Sequence, residues 1–414
     1  MGGPSLPAGA TAAASVKRSV ERARLRRLVR DLLLVSPLFL FLLVVFAAPI
    51  ALFMYRAVDN SLLHRSFPNT NAALAGWESP DPIPEAAFEA LAADLKAVAD
   101  PAALAIIARN LNNFEEGYRS LLMKTANNLP PEAPASWRDA FATIDKRWLD
   151  ESRWAILKQN TGPWTSNFLL AAVDLKREAS GEIVRVVPER RLYVPLLLRT
   201  FEISLTVAVI CLLIGYPTAY VLTKLPSRPA GLLMICVLLP FWTSLLVRTT
   251  AWIILLQGNG PINSTLQLAG VIQQPLELIF NRFGTLVAMS HVLLPYMILP
   301  LYAVMKSIPE THMRAALSLG ADQRTAFLRI YLPQTAPGIG AGLLLVFILA
   351  LGYYITPALV GGPRDQMLSY MITYHVNEVV NWGMAAALAL LLLAATAVLL
   401  LVLGRLVKLR QVIG

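Results

Sequence analysis

Residues 306–333 read KSIPETHMRAALSLGADQRTAFLRIYLP, a polar stretch between two strongly apolar segments. It scans as a short polar helix, a glycine break at Gly320, and a second polar helix that Pro333 ends before the next apolar run. Ser307 and Glu310 have the spacing of a capping box, and Met313, Ala316, Leu317 and Gly320 recur at helical intervals. Asp322 stands where it can cap the second helix, whose apolar side is Phe327, Ile330 and Tyr331. Ala316 and Gly320, four residues apart, share one face and leave a shallow notch that another surface can approach closely. These residues alone leave two readings open: a plain connector between spans, or a handle gripped by another protein.

The chain outside this stretch supplies the context. Its 414 residues are 56% hydrophobic with a mean hydropathy of +0.57, and several apolar runs approach the length of about 20 residues needed to cross a bilayer. An all-α integral membrane protein with six spans is expected, over Leu32–Tyr55, Leu196–Leu222, Ala230–Leu256, Phe283–Met305, Gly338–Val360 and Trp382–Gly404.

The formal charge of +10 raises the possibility of a nucleic-acid partner, and its distribution answers it. Lys17, Arg18, Arg22, Arg24, Arg26, Arg27 and Arg30 precede the first run. Lys224 and Arg228 follow the second, Lys306, Arg314, Arg324 and Arg329 the fourth, and Arg405, Lys408 and Arg410 the sixth. The links after the third and fifth carry only Arg282 and Arg364. That is the positive-inside pattern for two cytoplasmic termini, a basic tail over 1–31 and a short one over 406–414, and it assigns the excess charge to topology, not to nucleic acid. The first run is too long for the apolar region of a secretory signal, about 7 to 15 residues, and Pro49 follows Ala47 and Ala48, so it reads as a retained span. Cys211 and Cys236 both fall within spans, as buried free thiols and not as a disulfide framework.

Residues 56–194 form a long insert that this topology places outside the cytoplasm. It holds 16 basic and 18 acidic residues, so the excess charge lies elsewhere. Helical apolar spacing over Glu85–Ala99, Ala102–Ala126 and Trp137–Lys158, with Trp137, Trp148, Trp154 and Trp164 to bury, predicts a small helical cap. Glu115 with Glu116, and Asp150 with Glu151, are sequence neighbours that point about 100° apart on a helix and share no catalytic site. No GxxxxGK[ST] phosphate loop, HExxH or GxSxG occurs, so any ATP chemistry belongs to another polypeptide and no enzymatic activity is expected here.

Ala315-Ala316, Gly320, Ile330 and Leu332-Pro333 resemble the EAA motif of type I ABC-transporter permeases in spacing and in their place between the fourth and fifth spans. One departure is plain: Arg314 stands where the motif has its leading glutamate. A wider resemblance over about 195–405 rests on PFWTSLLVRTTAW (240–252), HVLLPYMILPLYAVM (291–305) and LGYYITPALVGG (351–362), which look like permeases of the spermidine/putrescine branch. The resemblance implies a bacterial inner-membrane transport subunit without a cofactor or metal, one of a pair of permeases. Its implied partners are two cytoplasmic ATPase subunits, an extracytoplasmic solute-binding protein and lipid. It implies docking of the ATPase through Arg314, Ala315, Ala316, Gly320, Ile330, Leu332 and Pro333 in the 306–333 loop. The 56–194 insert is larger than the family pattern.

Ionisable groups within spans are costly and belong beside protein or water, which singles out Glu202, Arg248 and His291 as translocation-path candidates, with Glu202 a partner for Arg248. Trp242, Trp252, Tyr296, Tyr353 and Tyr354 are aromatic candidates for the same path, through ring faces that attract cations. Alternating access driven through the 306–333 loop is the mechanism expected. A lone ion-coupled carrier would show inverted repeats and several intramembrane acids; this chain has no clear repeat and one such acid.

Overall fold

The computed structural model describes residues 27, 30, 31, 33–78, 81–98 and 100–413, with side chains described as far as 402. The expected basic tail residues Lys17, Arg18, Arg22, Arg24 and Arg26, and the side chains of Arg405, Lys408 and Arg410, lie outside the described residues.

The chain is mainly helical. Among the described residues, five helices are long and apolar enough to cross a membrane: Leu33–Tyr55, Tyr193–Lys224, Arg282–Ser307, Gln323–Leu351 and Trp382–Val402. A sixth span is a bent pair, Ser227–Trp242 and Leu245–Leu268, which meet at 101°. The expectation of one straight helix over Ala230–Leu256 is therefore corrected. Pro240 removes a donor from the last turn of the first segment, and Thr243 and Ser244 are extended, so the helical ladder stops for two residues and restarts in a new direction.

Span one, Leu33–Tyr55, belongs to a unit separate from the rest of the chain, and its apolar side chains are exposed along its length. Its π-turn, Leu43–Ala47, ends two residues before Pro49, and Ala48 donates to the Leu43 carbonyl five residues back.

In the second unit, residues 57–414, the membrane core is built on spans two, four and five. Ile203, Val207 and Cys211 of span two, Met289, Leu293 and Met297 of span four, and Val346 and Ala350 of span five are buried against one another. With lipid as apolar as leucine, such packing relies on small residues that let helices approach. A Cβ at Gly342 would lie 2.6 Å from Met297 Sδ and 3.3 Å from the Met297 carbonyl oxygen, so span five passes close to span four here and a larger residue would displace the Met297 side chain.

The expected end of the handle is also corrected. Pro333 does not terminate the second polar helix; helix runs without interruption from Gln323 to Leu351. The chain widens into a π-turn over Phe327–Tyr331, where Leu332 donates to the Phe327 carbonyl, just ahead of the proline that has no N–H to give. Gln334 Nε2 donates to the Ile330 carbonyl at 2.7 Å and satisfies a group the altered ladder loosens. The fifth span thus begins well before the expected Gly338 and ends at Leu351; Ile355–Val360 is a separate short helix after a break at Gly352–Tyr354.

The insert has its own core, in which Trp148 and Trp154 are fully buried with Phe88, Phe141 and Tyr118. Both indoles are satisfied: Trp148 Nε1 donates to Thr125 Oγ1 at 2.7 Å and Trp154 Nε1 to the Trp148 carbonyl at 2.8 Å. Two expected helices are split. Gly117, at φ +93°, separates Pro101–Asn112 from Tyr118–Asn127, and Asp145 and Asp150 cap new starts within Trp137–Asn160. A short antiparallel hairpin, Leu175–Arg177 with Ile183–Arg185, is the one strand pair among the described elements and was not expected. Beside it, buried Asp174 accepts backbone N–H groups of Leu192 and Tyr193 at Oδ1 (3.1 and 3.0 Å) and of Val194 at Oδ2 (2.8 Å), which fastens the insert to the start of span two.

Candidate functional site

Two regions carry the residues expected to function. The first is the 306–333 handle. Span four continues to Ser307, whose hydroxyl donates to the Val304 carbonyl, so the expected capping box with Glu310 does not form. Helix restarts at Glu310 after extended Pro309 and runs to Ser318. It closes on Gly320 at φ +90°, with Gly320 N–H donating to the Leu317 carbonyl and Ala321 N–H to the Ala316 carbonyl. This is a Schellman end, which needs a residue in the left-handed region. Asp322 then caps the second helix as expected, accepting from Arg324 N–H at 3.1 Å and Thr325 N–H at 3.4 Å; the Thr325 side chain, and then these backbone groups, hold its carboxyl below the usual range.

The handle turns one face inward and one outward. Met313 and Phe327 pack on the membrane core and Tyr331 is buried in it. Phe327 and Tyr331 stack with centroids 5.6 Å apart, and Tyr220 of span two meets them edge-on at 5.7 and 5.4 Å. Outward lie Arg314, Ala315, Gly320 and Leu319, the last 89% exposed, and nothing lies within 4 Å of a Cβ placed on Gly320. Ile330 is 37% exposed, Leu332 is partly buried and Pro333 is exposed. Glu310 accepts from Lys224 of span two at 3.3 Å and from Arg314 at 2.8 Å, and these two cations depress its carboxyl.

The second region is where span three bends. Trp252 Nε1 donates to His291 Nδ1 at 3.2 Å, and the rings meet edge-on at 5.6 Å. Arg248 is half-buried within electrostatic reach of His291 and Tyr353, and Tyr353 within reach of Tyr296. These five candidates converge. The other three do not: Trp242 is 87% exposed at the bend, Tyr354 begins the next short helix, and Glu202 is engaged elsewhere. The expected Glu202–Arg248 pair is absent. Glu202 Oε1 instead meets Arg282 Nη1 at 3.1 Å, and Arg282 Nε donates to buried Asp365 Oδ1 at 2.7 Å. Both acids favour Arg282 at the start of span four, leaving Arg248 with Nε and Nη1 buried and without a hydrogen-bond partner among the described residues. Sequence reading passed over Arg282 as a loop charge; its signal was a cation at a span end with acids on two other elements.

The profile of the family described as binding-protein-dependent transport system inner membrane component matches residues 211–410. The spermidine/putrescine transport system permease protein PotB of Escherichia coli (strain K12) is 34% identical over 214 residues, 52% of this chain and 78% of PotB. The chain belongs to this family of inner-membrane permeases. Other relatives of the permease are the inner membrane ABC transporter permease protein YdcU of the same strain, 31% identical over 47% of this chain and 66% of YdcU, and the molybdenum transport system permease protein ModB of Mycobacterium bovis, 27% identical over 50% and 77%. A crystal structure of a bacterial ABC transporter that imports alginate aligns with 51% of the permease and 78% of its own chain, at 18% identity and a TM-score of 0.43. The chain is thus an ABC importer permease, a transport subunit of the inner membrane.

Proposed function

We propose that this permease passes a spermidine/putrescine-type polyamine across the inner membrane by alternating access, driven by two separate ATPase subunits that grip the 306–333 handle. It works beside a second permease subunit, as a heterodimer, and receives solute from an extracytoplasmic binding protein. Both termini and the handle face the cytoplasm, and the 56–194 insert faces the other side. Arg314, Ala315, Ala316, Gly320, Ile330, Leu332 and Pro333 form the docking surface; Arg248, Trp252, His291, Tyr296 and Tyr353 line the path.

The observation that carries this reading is the continuity of the second handle helix with span five. An ATPase pair that binds the handle differently in its two nucleotide states biases the position of a transmembrane helix directly, which is what coupling requires. The polyamine assignment rests on the PotB relatives and on the aromatic faces beside the bend.

A second reading, import of another small organic or inorganic solute, is favoured by Arg248, because an unpaired cation beside the aromatics suits an anionic group better than an ammonium. Gly320→Trp tests the docking surface. ATP-driven uptake or assembly with the ATPase is expected to fail; if both are unchanged, the docking role is wrong. Uptake of labelled putrescine by the assembled transporter, with molybdate and small carboxylates as competitors, decides the solute class.

A further inference from the structure

Residues 183–192, IVRVVPERRL, join the last strand of the insert to span two, which opens at Tyr193. Exposed Ile183, Arg185 and Val187 alternate with half-buried Val184 and Val186, so one face of this ribbon carries an aliphatic, a base and an aliphatic. Arg177, opposite Ile183 in the hairpin register, stands on the same face. Further along, Arg190, Arg191 and Leu192 are exposed as well. Ile183 and Val187 are each more than half exposed. Open aliphatic side chains set among arginines are the make-up of segments that lie in a membrane interface.

The starts of two spans fix the height of the ribbon. Tyr193 Oη lies 3.0 Å from His375 Nε2, and the His375 carbonyl accepts Asn381 N–H at 2.7 Å, one residue before span six opens at Trp382. Spans two and six therefore begin close to one level, each with an aromatic residue of the kind enriched where bilayer meets water. Leu198 and Leu205, both exposed, continue the apolar surface down span two. The charge suits phospholipid headgroups: Arg177, Arg185, Arg190 and Arg191 outnumber Glu182 and Glu189, and Glu178 is paired with Lys176, in an insert that has more acids than bases overall. Arg191 Nε donates to the Val186 carbonyl at 2.8 Å, and Val186 N–H to the Asp174 carbonyl at 3.0 Å, which holds the ribbon in shape. The guanidinium groups of Arg185 and Arg190 have no partner among the described residues.

We propose that the 183–192 ribbon seats on the bilayer and binds the phosphate of anionic phospholipid, with Arg185 and Arg190 on the headgroups and Ile183 and Val187 at the boundary between headgroup and acyl chain. This contact sets the height of the insert over the face of the membrane where spans two and six begin.

The test places the full chain, with its co-purifying subunits, in nanodiscs of phosphatidylcholine with and without phosphatidylglycerol. Hydrogen exchange at 183–192 is expected to be several-fold slower in the anionic discs, and the slowing to vanish at high salt. Each cation at an anionic surface is worth about a fivefold change in partition, so Arg185→Gln/Arg190→Gln is expected to lose most of the slowing. Ile183→Asn is expected to lose part of it and keeps the test open should the double variant fail to fold. Inorganic phosphate added to the phosphatidylcholine discs is expected to slow nothing, which separates a lipid headgroup from a free anion. Equal exchange in the two disc types, full slowing in the folded variants, or equal slowing by inorganic phosphate overturns the proposal. So does slowing in phosphatidylcholine discs that disappears when the co-purifying subunits are removed, which assigns the ribbon to a protein partner. The measurement needs no solute, so its failure is distinguishable from failure of the polyamine reading.

Discussion

Arg314 Nη2 donates to Glu310 Oε2 at 2.8 Å, one turn back on the same exposed helix. The residue that replaces the motif's glutamate is therefore held by an acid four positions earlier, and that acid also holds Lys224 at the end of span two. The handle is linked to span two as well as to spans four and five.

Exposed ion pairs contribute little to stability, so Glu310→Gln is expected to leave folding intact. It is expected to lower ATP-driven uptake about two- to fivefold at neutral pH, within the range such weak links allow. The depressed Glu310 carboxyl sets the sign of the pH effect: the link is present above the ordinary carboxylate range and is lost as pH falls through and below it. Uptake in proteoliposomes across that range, wild type against Glu310→Gln, checks both points.

Gly320 at φ +90° separates backbone need from side-chain bulk. Asn tolerates the left-handed region and Ala does so at about 1–2 kcal/mol, so Gly320→Asn is expected to retain more of the Schellman end than Gly320→Ala. Proteolysis of the 306–333 segment, compared between the two variants, reads the difference.

Arg248→Leu removes a half-buried cation whose Nε and Nη1 have no partner among the described residues, and an unsatisfied buried donor costs about 1–3 kcal/mol. The variant is expected to melt higher in detergent than wild type and to transport less. A lower melting temperature would mean that Arg248 has an acceptor elsewhere in the folded chain.

Trp148 is fully buried and its indole is bonded to Thr125. Trp148→Ala is expected to cost about 3–5 kcal/mol and to unfold the insert before the membrane core. Limited proteolysis of 57–192, followed by mass, reports it.

Asp145 is held well below the usual carboxylate range, first by the Arg147 side chain and also by Lys124. Its stabilising contribution is complete above its unfolded pKa, near 4, and is lost as pH falls below that. Asp145→Asn is expected to lower stability at neutral pH and to flatten its fall in acid, measured by tryptophan fluorescence.

Spans and handle were legible because length, hydropathy and positive charge act over many residues, and Gly320 and Asp322 because capping is local. The bend at Thr243–Ser244 was not, since two mildly polar residues barely alter the mean hydropathy of a span. Pro333 misled because a proline ordinarily ends a helix, and the π-turn ahead of it sits where Phe327 and Tyr331 meet Tyr220 edge-on, a contact across 107 and 111 residues of sequence. Arg282 was missed because its acids lie 80 and 83 residues away in sequence, a distance no spacing rule spans.

The helix from Gln323 to Leu351 is a rod of 29 residues, roughly 43 Å at 1.5 Å per residue. A rod of fixed length turns any sideways push at Gln323 into a swing at Leu351, two residues before Tyr353 and its neighbour Arg248. The π-turn at Phe327–Tyr331 lies in the first third of that rod, at the handle end, so under the proposed coupling any give in the stroke is expected there and not at Leu351.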